Sequence, residues 1–105
     1  MVAGFKRSYL TFIVLTLLSE KEQYGYELSQ TIKQRTKGQY ETTFGALYPI
    51  LNKLEKDGAI CSRKQQSPDG PERKYYRLTI KGESLLQQER RAVEALVVFL
   101  PDNKP

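Results

Sequence analysis

Histidine and tryptophan are absent from this 105-residue chain, and cysteine occurs once, as Cys61. The missing histidine excludes Ser-His-Asp and Cys-His nucleophilic centres and any zinc site built on imidazole. One cysteine makes neither an internal disulfide nor a four-thiolate metal site, and it fits a reducing compartment. Long apolar runs are missing too. The longest, 12–18, is broken by Thr16 and is far shorter than the ~20 residues a membrane span needs. Residues 9–18, after Lys6 and Arg7, imitate the apolar stretch of a secretion signal. Ser19-Glu20-Lys21-Glu22 follows where a small-residue cleavage site would stand, so a cytoplasmic protein with no membrane partner is expected. There is no glycine-rich phosphate loop and no acid pair in an evident pocket, so no enzyme, metal or cofactor is expected.

What is present is cationic and globular. Lys and Arg number 17 against 12 Asp and Glu, a formal charge of +5, and 39% hydrophobic residues suffice for one small core. Ser8 is a candidate cap for a first helix over 9–18, apolar almost all round and therefore buried on more than one side. One side can face the chain's own core and the other a second chain; a buried strand is the alternative, because Phe12-Ile13-Val14 is rich in β formers. After a polar turn at 19–23, Tyr24, Leu28 and Ile32 recur every fourth residue and predict a second helix over 24–37. Gly25 and Ser29 form a small-residue row beside that stripe, where another helix could approach closely. Thr42 or Thr43 caps a third helix reaching about Asp57, with Phe44, Leu47, Leu51 and Leu54 as its apolar stripe and Gly58 as its stop. Pro49 lies within it, so this helix either starts near Leu47 or bends.

Residues 59–66 and 73–79 read as two strands around the turn-rich 67–72. On the second strand Tyr76 and Leu78 share one face and Arg73, Tyr75 and Arg77 the other. Arg63, Lys64, Arg73, Lys74 and Arg77 outnumber Asp69 and Glu72 in this hairpin, a balance suited to phosphate contacts and otherwise to a solvated edge. Thr79 caps a last helix from Ile80 to about Leu100. Leu86, Val93 and Leu100 are seven apart with Leu96 between them, and Leu85, Ala92 and Phe99 make a neighbouring row. That face, interrupted by Glu89, is wide for one small core and fits an intermolecular seam; a helix lying only on its own domain is the alternative.

The order helix, helix, helix, hairpin, helix predicts a mainly α fold with a β-hairpin wing, a winged helix-turn-helix. Residues 1–78 form the DNA-binding part, and 79–105 a dimerisation helix and tail in the same compact unit. Thr42, Thr43, Gly45, Ala46 and Tyr48, off the apolar stripe of the third helix, are the candidates for contact with a DNA major groove. Capping threonines and a partly buried Tyr48 are the plainer alternative.

Three motifs sharpen this. Tyr24-Gly25-Tyr26-Glu27-Leu28, then Gly45-Ala46-Leu47-Tyr48-Pro49-Ile50-Leu51 running into Leu54-Glu55-Lys56-Asp57-Gly58-Ala59-Ile60, then Gly70-Pro71-Glu72-Arg73-Lys74-Tyr75-Tyr76-Arg77-Leu78-Thr79 with Gly82 following, resemble the PadR family of bacterial transcriptional regulators. The resemblance implies a homodimeric winged-helix protein, usually a repressor, on a pseudo-palindromic operator. It places Pro49 in the recognition helix and adds Tyr24 and Pro49, with Lys64, Arg73 and Lys74 of the wing, to the DNA-binding set. It implies a dimer in which the last helix packs on the first and last helices of the partner, through Tyr9, Ile13, Leu86, Val93, Leu96, Phe99 and Leu100. One helix after the wing fits the short subtype. Some short relatives stack planar drugs on a tryptophan in the last helix; this chain has none. A small-molecule effector at the dimer interface is thereby left with Phe5, Tyr9 and Phe99 as its lining, residues that serve equally as dimer-core aromatics. A winged-helix protein-interaction module without DNA binding is the competing expectation, and the basic wing argues against it.

Overall fold

The computed structural model describes residues 7–101. Its elements follow in the order α1 (Arg7–Glu20), β1 (Gln23–Tyr24), α2 (Gly25–Arg35), α3 (Phe44–Lys56), β2 (Ile60–Gln66), β3 (Glu72–Leu78) and α4 (Ile80–Val97). The strands form one antiparallel sheet ordered β1-β3-β2. Phe5 and the tail past Pro101 lie outside the described residues. No helix among the described residues is long and apolar enough to cross a membrane.

The helices and the hairpin stand where periodicity placed them, and the differences are local. Helix α1 already includes Arg7, so Ser8 is a helical residue and not its cap. Gln23, expected in a polar turn, pairs with Tyr76 in the sheet, and Tyr24 pairs with Tyr75. The Gln23 amide is buried and donates to the carbonyls of Leu17 (2.9 Å) and Lys21 (3.3 Å), tying the end of α1 to the third strand. Helix α3 runs unbroken from Phe44 through Pro49 to Lys56, so the proline neither delays its start nor ends it.

Val14, Leu15, Leu28, Leu47, Leu51 and Ile60 are fully buried and join the three N-terminal helices to the base of the hairpin. Gly58, with φ +79°, ends α3 as expected; its left-handed backbone lets the Ala59 N–H donate back to the Leu54 carbonyl at 2.9 Å. The chain then enters β2. At the other end of the hairpin Thr79 caps α4, its hydroxyl accepting from the Gly82 N–H (3.1 Å) and donating to the Gly58 and Ala59 carbonyls. A Cβ on Gly82 would lie 2.0 Å from the Ala59 carbonyl oxygen. Glycine there lets α4 begin directly against the end of α3.

Leu86, one turn further on, is 3% exposed within its own chain. It belongs to the monomer core and is not free for the intermolecular seam that its seven-residue spacing suggested. Heptad spacing defines a helix face without saying which partner covers each turn. Here the Gly82 joint presses the first turns of α4 onto the core, and the later turns leave it.

Candidate nucleic-acid interface

Two small residues allow the exposed face of α3 to form. A Cβ on Gly25 would come within 2.2 Å of the Phe44 ring, so the close approach of α2 and α3 depends on glycine at the row picked out from the sequence. Thr43 is the cap: its hydroxyl accepts from the Ala46 N–H at 3.2 Å. Gly45, Ala46, Tyr48 and Pro49 are all exposed along the first turns of α3, so the structure brings these sequence candidates onto one surface. Thr42 is not among them. It is half-buried, and its hydroxyl oxygen is shut off from solvent without a hydrogen-bond partner. The sequence could not separate the two threonines, because either can cap.

Phe44 departs from its expected place. Its spacing put it on the core stripe, yet it is 47% exposed and meets Tyr48 edge-to-face at 5.8 Å between ring centres. It was missed because a helix's first turn projects past the core it points towards. Tyr26 was missed likewise; it is exposed and stacks 6.5 Å from Tyr24. Tyr24 in turn meets Tyr75 edge-on at 5.3 Å. Tyr24, Tyr26, Phe44, Tyr48, Arg73 and Lys74 line a cleft of about 340 Å³ between the start of α2, the start of α3 and the hairpin. Aromatic walls with cations at the rim suit the sugar-phosphate backbone and apolar base edges of a nucleic acid.

The wing cations do not act as one group. Along the ladder Cys61 faces Arg77, Arg63 faces Tyr75, Lys64 faces Lys74 and Gln65 faces Arg73. Arg77 therefore sits near the base, where its guanidinium donates to the Cys61 sulfur at 3.0 Å, apart from the other cations that the sequence counts with it. Arg63 lies over the Tyr75 ring (5.2 Å) and pairs with Glu22. Arg73 lies 4.6 Å over the Tyr24 ring and 3.2 Å from Asp69. Lys74 reaches Glu55 of α3 at 3.0 Å. Lys64 is exposed and forms no ion pair among the described residues. The exposed pairs contribute little to stability, about 0–1 kcal/mol each, and can exchange a carboxylate for a phosphate at small cost.

A second surface differs in kind. Tyr9, Phe12 and Ile13 of α1 and Ala92, Val93 and Leu96 of α4 line an apolar groove of about 540 Å³. Val97 and Leu100 close its end, and these two with the neighbouring Val98 and Phe99 are all more than half exposed. Of the expected seam, Tyr9, Ile13, Val93, Leu96 and Leu100 therefore meet in one groove, and Phe99 stands beside it.

The chain matches the transcriptional regulator PadR-like family over residues 14–88. A transcriptional regulator of Mycobacterium tuberculosis is 35% identical over 88% of this chain and 82% of its own length. The solved structure of a transcriptional regulator from Clostridium thermocellum superposes with a TM-score of 0.79 at 32% identity, over 90% of this chain and 96% of that one. Bacillus subtilis PadR, solved in complex with operator DNA, superposes with a TM-score of 0.68 at 25% identity, over 91% of this chain and 50% of that one. With the motifs, the winged-helix fold and these relatives in agreement, the chain belongs to the PadR-like family of transcriptional regulators.

Proposed function

We propose that this protein binds double-stranded DNA as a homodimer, reading a pseudo-palindromic operator with α3 and gripping flanking phosphates with the wing, and that it represses transcription by occupying a promoter. It performs no catalysis. The observation that carries the reading is the exposed run Gly45, Ala46, Tyr48 and Pro49 at the start of α3, flanked across the cleft by Arg73 of the wing. Small residues let a helix backbone approach base edges, and Tyr48 offers a hydroxyl and a ring to them. One short recognition helix reads too few base pairs for a unique site. Two-fold pairing through the α1–α4 groove supplies a second helix, with half-sites one turn of DNA apart, ~34–36 Å.

The solved complex of B. subtilis PadR with operator DNA supports DNA as the partner. The test is a fluorescence titration of a labelled random duplex, and of the DNA upstream of the chain's own gene, at rising salt. Affinity should fall linearly on a log–log plot as counterions are released, and the upstream fragment should bind more tightly. Absence of binding to either duplex at low salt overturns the reading.

A further inference from the structure

We propose that Glu55 is a positioning residue that locks the wing to α3, and that Lys74 serves this tether and does not contact a DNA phosphate. The proposal rests on the DNA-binding reading for its consequence and on geometry for its substance. Glu55 is in the penultimate position of α3. One of its carboxylate oxygens accepts from the Ser62 hydroxyl of β2 and the other from the Lys74 ammonium of β3 at 3.0 Å. A single side chain on the recognition helix therefore holds both strands of the wing.

The ladder explains why these two strands can meet one carboxylate. Ser62 faces Tyr76, and Lys64 faces Lys74, so Ser62, Lys64, Lys74 and Tyr76 lie on the same side of the sheet. Lys74 also lies 5.5 Å over the Tyr76 ring, and that tyrosine is buried in the core. The lysine is thus drawn down towards the protein by two groups, the Glu55 carboxylate and the Tyr76 ring. Like charges directly opposite one another destabilise a sheet. Neutralising Lys74 through Glu55 removes that conflict with Lys64 and leaves Lys64 as the cation presented outward on this face. The other ion pair of α3, Lys53 with Asp57, has side chains 70% and 50% exposed and stays within the helix; Lys74 and Glu55, at 43% and 31%, join two elements. The angle between helix and wing decides whether both can touch one DNA duplex, so a tether at that angle governs affinity without touching DNA.

The two roles for Lys74 predict opposite signs. If Lys74 were a phosphate contact held back by Glu55, E55Q would release it, tightening DNA binding and steepening the salt slope by ~1. As a tether, E55Q and K74A should each weaken binding to the upstream fragment about tenfold with the slope unchanged, and the double variant should be no worse than either alone. K64A should lower the slope by ~1, and D57N supplies the control for loss of one negative charge on α3. Amide hydrogen exchange on the full chain without DNA is the independent arm: exchange across 60–78 should quicken in E55Q and K74A and not in K64A. A lower slope in K74A, tighter binding by E55Q relative to D57N, or unchanged exchange in both tether variants overturns the proposal. If the parent binds no DNA, the DNA reading fails while the exchange arm still decides the tether.

Discussion

The two exposed surfaces of this molecule solve opposite problems. The α3–wing surface is aromatic and cationic, and most of its charges already have a partner that can be traded for phosphate. The α1–α4 groove is apolar, with Glu89 as the one charged residue among the described residues that line it, and offers nothing to trade. The first can stand in water indefinitely. The second is a cost of about 25 cal/mol for every Å² of apolar surface left wet, which only burial removes. The contrast teaches that the cationic aromatic surface and the apolar one are separated on this small chain, with α4 linking them through the Gly82 joint.

The largest effect should come from charging the apolar surface. V93E with L96E places carboxylates in the proposed seam, at about 3–5 kcal/mol each if buried unpaired. The variant should sediment as a monomer and lose operator binding, with α3 and the wing untouched. A folded monomer that binds as tightly as the parent would break the link between the two surfaces. Next in size is the joint itself. G82A drives a methyl into the Ala59 carbonyl and should destabilise the fold by about 3 kcal/mol, read by urea melting. A melt equal to the parent's would show that α4 can shift without loss.

On the polar surface, Y48A should lose ~1–3 kcal/mol on the operator and less on random DNA. Equal losses on both would make Tyr48 a positioning contact. R73A should weaken both duplexes alike and reduce the salt slope by ~1. The smallest effect is set by pH. Hydrogen bonding from Ser62, opposed by burial and aided by Lys74, holds the Glu55 carboxyl below the ordinary carboxylate range. Its contribution is present above the unfolded value, ~4.3, and is lost as pH falls through the lower folded value. After correction for the intrinsic pH dependence of exchange, protection of the wing amides should therefore fall in acid in the parent, with a smaller change in E55Q.

The sequence made the fold legible where periodicity was long and a cap was present. Helix α3 with Thr43 and Gly58, and α4 with Thr79, lie within a residue or a turn of expectation. Strand β1 was illegible because two residues have no period; Gln23 is in a sheet only because Tyr76 lies across from it. The candidate site was legible as a set of residue types, since exposed small residues and wing cations stand where the motifs placed them. The partner of each cation was not. Nothing local to 73–74 tells that Arg73 meets Tyr24 or that Lys74 meets Glu55, pairs about 50 and 19 residues apart that only the closed fold creates. Leu86 and Phe44 exchanged roles for the same reason: a helical stripe gives direction, and the extent of the core decides which turns it covers.

The capped joint where α4 leaves α3 also has a mechanical meaning. Helix α4 has 18 residues and so spans about 27 Å as a stiff rod. Thr79 and Gly82 clamp one end of that rod at the foot of the recognition helix, and the far end carries the exposed apolar residues. A rod of that length is a lever: tilting it by about 5° moves its tip by about 2 Å. In a two-fold pair both levers turn together, so a shift at the seam too small to disturb its packing doubles as a change in the span between the two reading heads. In the proposed dimer, the spacing of the two half-sites is in that sense a length set at one end of α4 and measured at the other.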